Sequence, residues 1–161
     1  FVSVGGRAAM VQFRKQLEKR FEIKTKVVGT GEEEDREGKV LNRSIRVTDD
    51  GWEYEPDQRH AEIIVDELGL KEARSATTPG EDEKKWEEEE NTIPLRSDMS
   101  SRFRGIAARI NYLAADRPDI MYSAKKACRQ RANSTEGGCK MIKRIGRYLV
   151  GRPRAVLKYE W

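Results

Sequence analysis

The stretch from Arg102 to Gly151, RFRGIAARINYLAADRPDIMYSAKKACRQRANSTEGGCKMIKRIGRYLVG, sets the tightest limit on what this chain can become. Phe103, Ile106, Ile110 and Leu113 recur at helical spacing and predict one apolar stripe. Arg117-Pro118-Asp119 interrupts the pattern, and Pro118 suits the first turn of a new helix. That helix carries Ile120, Ala124, Ala127 and Cys128 on one side. A third helix is expected from Thr135 and Glu136, with Met141, Ile145, Tyr148 and Leu149 inward. Its other face is Lys140, Lys143, Arg144 and Arg147, at i, i+3, i+4 and i+7, so the cations form one row.

Like charges at this spacing repel by roughly 0.2–0.5 kcal/mol per pair. A row of them is tolerated where solvent, or a polyanion, lies against it. For one helix a solvated face is the ordinary explanation. The charge distribution along the chain argues for more. Residues 96–161 carry 16 Lys and Arg against 5 Asp and Glu, a net +11, whereas residues 1–95 carry 16 against 23, a net −7. The overall +4 therefore conceals a strongly basic C-terminal part.

Among the 161 residues no apolar run reaches membrane-spanning length, and the N-terminus lacks the charge-then-apolar order of a signal peptide. No membrane partner is expected, and an intracellular location is. The two cysteines, Cys128 and Cys139, and the single histidine, His60, are too few for a disulfide scaffold or a zinc site of the usual ligand number. The thiols are expected to be reduced. His60, beside Arg59, reads as a surface residue, and no nucleophile accompanies it.

In the first half a helix is expected over residues 7–20, with Ala9, Phe13 and Leu17 inward. Phe21 to Val27 alternates apolar and polar residues, as a half-buried strand does. Glu32 to Glu37 reads as a polar loop between glycines. Leu41, Ile45 and Val47 alternate with Asn42, Ser44 and Arg46. Asp50-Gly51 predicts a two-residue hairpin turn, after which Trp52 and Tyr54 share one strand face and Glu53 and Glu55 the other. Pro56-Asp57 ends the strand and caps a helix over residues 58–68, with Ala61, Ile64, Val65 and Leu68 inward and Gly69 as its stop. The acid-rich segment 81–90 reads as a loop able to shield the basic part. Ser97-Asp98 supplies a helix cap. Ala155, Leu157 and Tyr159 alternate with Val156, Lys158 and Glu160 in a last strand.

Three motifs in the basic part carry a resemblance. Arg104-Gly105 with Asn111-Tyr112-Leu113-Ala114, then Arg117-Pro118-Asp119-Ile120, then Lys143-Arg144 with Arg147-Tyr148-Leu149 and Gly151, resemble in order and spacing the reverse transcriptase of copia-type LTR retrotransposons. The sequence departs from that family at Asp116, usually Thr there, and at Gly138-Cys139, where the family tends to His-Trp.

The resemblance implies an α+β chain: a small antiparallel hairpin sheet with a helix, followed by a mainly helical thumb- or connection-like region. Residues 1–56 would be the end of the palm and a primer-grip-like hairpin. Residues 57–96 would be a helix and acidic loop, 97–152 the basic helical region, and 153–161 the opening strand of an RNase H-like domain. The family's Val-Asp-Asp catalytic hairpin would lie immediately before Phe1, so no catalytic or metal-binding residue is expected within the chain. Val47-Thr48-Asp49-Asp50 imitates that hairpin without its third carboxylate.

The parent Pol polyprotein, with palm, fingers and RNase H, would be an RNA-directed DNA polymerase using two Mg2+ ions. The present segment would be inactive by itself and would hold the template–primer, an RNA–DNA or DNA duplex. The primer-grip-like residues would be Asp50, Gly51, Trp52, Glu53 and Tyr54. The phosphate-binding residues would be Lys140, Lys143, Arg144 and Arg147, then Lys125, Lys126, Arg129 and Arg131. Arg117 and Asp119 are expected to fix the interhelix corner, and Tyr112 and Tyr148 to be core. The alternative is a non-catalytic nucleic-acid-binding or protein-interaction module derived from a transposon.

Overall fold

The computed structural model describes residues 2–81 and 92–161. The chain is mixed α+β and divides into two compact units, one of residues 1–55 and 157–161, the other of residues 56–156. The last strand pairs with the second strand of the Asp49-Asp50 hairpin.

The first unit is built on a four-stranded antiparallel sheet in the order β1 (Glu37–Val40), β2 (Arg43–Val47), β3 (Gly51–Glu55), β4 (Leu157–Glu160). Its register places Glu37, Arg46, Glu53 and Lys158 opposite one another across all four strands. The signs alternate, and ion pairs join Arg46 to Glu37 at 3.2 Å, Arg46 to Glu55 at 2.8 Å and Lys158 to Glu53 at 3.4 Å. Each such cross-strand pair contributes roughly 0.2–1 kcal/mol. Ile45, Val47, Trp52, Tyr54 and Leu157 occupy the other face, as the alternation predicts. The Glu55 hydrogen bond, ahead of the nearby carboxylate charges, raises the Arg46 pKa further above its ordinary value.

Four expectations are corrected here. Asp49 and Asp50, not Asp50 and Gly51, are the turn, because Val47 pairs with Trp52 and Thr48 N donates to the Gly51 carbonyl at 2.8 Å. Gly51 is needed for a different reason. A Cβ there would lie 2.1 Å from the Tyr159 carbonyl oxygen of β4, at φ +154°. Second, Glu37, read as the end of a polar loop, opens a strand that runs to Val40, and Leu41 and Asn42, read as strand, are the turn into β2, both at positive φ (48° and 63°). Third, Phe21 to Val27 forms no strand, and Phe21 is exposed. Only an isolated bridge from Val28 to Asp35 follows it. Fourth, α1 (Arg7–Glu18) forms but buries none of its residues, so Ala9, Phe13 and Leu17 face no core.

The second unit is helical: α2 (Arg59–Glu67), α3 (Ser97–Ala114), α4 (Pro118–Arg129) and α5 (Glu136–Gly151). One core unites them. Ala61 and Ile64 come from α2, Phe103, Ile106, Ile110 and Leu113 from α3, Ile120, Ala124 and Ala127 from α4, and Ile142, Ile145, Tyr148 and Leu149 from α5. Burying each large side chain is worth about 1.5–3 kcal/mol. The helix ends follow from local chemistry. Asp57 Oδ1 accepts from the Arg59 N–H at 3.1 Å and opens α2. Gly69, at φ +68°, closes it, with Leu70 N bonded to the Val65 carbonyl and Gly69 N to that of Asp66, both at 2.9 Å. Thr135 Oγ1 accepts from the Gly138 N–H at 3.2 Å to open α5. The expected Ser97-Asp98 cap is absent: the N-cap residue is Arg96, with no side-chain cap bond.

Candidate nucleic-acid interface

The Arg117-Pro118-Asp119 corner sets the relation of α3, α4 and α5. Arg117 is 2% exposed and grips Asp119 with two parallel bonds, Nε to Oδ1 at 2.9 Å and Nη2 to Oδ2 at 2.7 Å. Its remaining donors reach the Arg152 carbonyl at 3.1 Å and the Pro153 carbonyl at 3.4 Å beyond the end of α5. Tyr148 Oη donates to Asp119 Oδ2 at 3.0 Å, and Arg152 donates to Tyr148 Oη at 3.1 Å. Burial works to raise the Asp119 pKa. The Arg117 hydrogen bonds and charge, with the Tyr148 hydroxyl, outweigh it and hold the carboxyl below its ordinary value. Arg117 and Asp119 thus fix the corner as expected, and Tyr148 is core. Tyr112 is not core. It is half exposed and packs against His60, with ring centroids 4.7 Å apart and planes tilted by 52°. His60 is correspondingly half-buried rather than a surface residue, and its Nδ1 is enclosed without a hydrogen-bond partner among the described residues.

The row expected on α5 divides in two. Lys140 and Lys143 are exposed. Arg144 and Arg147 are engaged by residues 74–81, a strap that runs along the helix. Arg147 Nε donates to the Arg74 carbonyl at 2.8 Å, and Ala76 N donates to the Arg147 carbonyl at 3.0 Å. Arg144 donates to the Thr78 carbonyl and to Thr78 Oγ1, both at 3.0 Å, and pairs with Glu81 at 2.6 Å. Their donors are directed at the chain's own acceptors. The proposed shielding by segment 81–90 falls outside the described residues except at Glu81.

On α4, Lys125 and Arg129 are exposed, as is Arg131 just beyond it, and Lys126 is half-buried. Lys126 lines a shallow cleft with Tyr122 and Ser123 of α4, Met141 and Arg144 of α5, and Glu81 of the strap. The exposed cations of α4 and α5 are therefore Lys125, Arg129, Lys140 and Lys143, with Arg131 just beyond α4. Tyr122, 74% exposed and one turn before Lys125 and Lys126, was not singled out by sequence reasoning. Its position off the Ile120, Ala124 and Ala127 stripe, three residues before Lys125, was the available signal.

The primer-grip-like residues form no comparable surface. β3 is an interior strand, paired with β2 and β4, so its backbone groups serve the sheet. Asp49 and Asp50 at the tip repel phosphate, and their carbonyls accept the Trp161 indole N–H at 2.9 Å and backbone N–H at 3.1 Å. Asp49 also pairs with Arg36 at 3.8 Å. No group of three or more His, Cys, Asp or Glu residues able to hold a metal exists among the described residues.

Burial raises the pKa of both thiols, with Arg131 opposing it at Cys128 and Lys143 at Cys139. Both are free, and Cys128 Sγ lies 3.4 Å from the Ala107 carbonyl. Among the described residues no helix is long and apolar enough to cross a membrane. No family model matches the chain, nor does any curated protein or solved structure.

Proposed function

We propose that this chain is the C-terminal part of a copia-type reverse transcriptase and that its helical unit holds a template–primer duplex by its phosphates. The observation that carries the reading is the set of outward cations on α4 and α5, mounted on helices locked by the Arg117–Asp119 corner. Phosphate contacts of this kind give affinity without sequence choice. A rigid mount matters because a charge held in place loses less entropy on binding than a mobile one. The order of the three motifs from Arg104 to Gly151 supports the family assignment. The hairpin tip, with its two carboxylates, has no part in the phosphate surface.

Fluorescence anisotropy with a labelled RNA–DNA duplex at low salt tests the reading. The full chain is expected to bind, and the combined Lys125→Gln, Arg129→Gln, Lys140→Gln and Lys143→Gln variant to bind at least about tenfold more weakly. Equal affinities would remove the helical unit from the binding surface. With magnesium and deoxynucleotides the chain alone is expected to extend no primer, and extension would contradict the placement of the catalytic carboxylates outside it.

A further inference from the structure

The outward face of α4 holds an aromatic side chain that phosphate binding does not explain. Tyr122 is 74% exposed, and Lys125, Lys126 and Arg129 follow it at i+3, i+4 and i+7. The buried stripe of Ile120, Ala124 and Ala127 lies on the opposite side of the helix. The ring therefore lies outside the core, in a row of cations. Along the axis the row spans about 10 Å from Tyr122 to Arg129. Ser123 and Lys126 line the cleft beside the ring, together with Glu81 and Arg144.

Aromatic rings interleaved with cations are how proteins hold single strands: the ring takes a base face, the cations take the flanking phosphates. A fully paired duplex hides its base faces and has no use for such a ring. We propose that Tyr122, flanked by Lys125 and Arg129, is a stacking subsite for an unpaired base of single-stranded nucleic acid. The proposal rests on the nucleic-acid reading above and adds a ligand, the unpaired strand, that the duplex reading does not require. Charge complementarity selects a polyanion over a peptide, and the exposed ring selects a strand with free bases.

Anisotropy titrations with two probes test it: a short fluorescein-labelled oligothymidylate and a blunt, fully paired RNA–DNA duplex. Tyr122→Ala is expected to weaken oligothymidylate binding about tenfold and to leave duplex binding unchanged, while Tyr122→Phe keeps both. Matching urea midpoints for the three proteins would show that the fold is intact. Unchanged oligothymidylate binding in Tyr122→Ala, or an equal loss on both probes, would overturn the proposal. So would failure of Tyr122→Phe. Duplex binding by the wild-type chain together with an indifferent Tyr122→Ala would sink the stacking subsite alone. Wild-type binding to neither probe would sink the duplex reading with it.

Discussion

Arg117 is the side chain with the most to lose. It is buried, and each of its contacts is to an oxygen of the corner or of the chain beyond α5. Removing one partner of a buried pair leaves the other uncompensated, at a cost of about 3–5 kcal/mol. Asp119 keeps 31% of its side-chain surface exposed, so Arg117→Ala is expected at the lower end, about 3 kcal/mol by urea unfolding. Tyr148→Phe removes two hydrogen bonds to charged groups, the one donated to Asp119 and the one accepted from Arg152, and is expected to cost about 1.5–3 kcal/mol. The pH dependence has a definite sign. The Asp119 carboxyl titrates lower in the folded chain than in the unfolded one. Its stabilisation is complete above the unfolded value of about 3.9 and is lost as pH falls through the lower folded value. Tyr148→Phe removes one of the lowering contacts, so its acid-unfolding midpoint, followed by circular dichroism, should move to higher pH. This corner was legible in sequence because Arg, Pro and Asp are adjacent there. The pairing of His60 with Tyr112 was not, since a ring contact drawn from two helices leaves no local trace.

At the scale of elements, α3, α4 and α5 were readable because each places several large apolar residues at helical spacing on one shared core. β1 was not: Glu37-Gly38-Lys39-Val40 has one large apolar residue, and the strand exists through its pairing with β2. Phe21 to Val27 shows the converse, an alternation with no neighbouring strand among the described residues to complete it. The turn was misplaced by one residue because Gly51 answers to β4, which lies far away in the chain. The Leu41-Asn42 turn carries a testable strain. A left-handed conformation costs a non-glycine residue about 1–2 kcal/mol, less for Asn, so Leu41→Asn is expected to raise the thermal midpoint of the protein. No midpoint change, or a fall, would mean that Leu41 gains more from contacts than its backbone loses. The 74–81 strap explains why the row on α5 was only half right. Helical periodicity shows which cations share a face but not which of them another segment will engage.

For the whole molecule, the uneven charge follows the division of the fold. Residues 1–55 and 157–161 hold 12 Lys and Arg against 12 Asp and Glu, so the net +4 of the chain resides in the helical unit. The account therefore predicts not only binding to a polyanion but which cations release counterions from it. The measurement that tests this most directly is the slope of log affinity against log salt for an RNA–DNA duplex. It should be taken for the wild-type chain, for the combined Gln variant of Lys125, Arg129, Lys140 and Lys143, and for Arg144→Gln with Arg147→Gln. The account predicts a steep wild-type slope. The outward variant should lose about one unit of slope per phosphate contact removed. The strap variant should retain most of its slope and lose stability instead. A wild-type chain with no salt-dependent binding, or an outward variant with an unaltered slope, would contradict it.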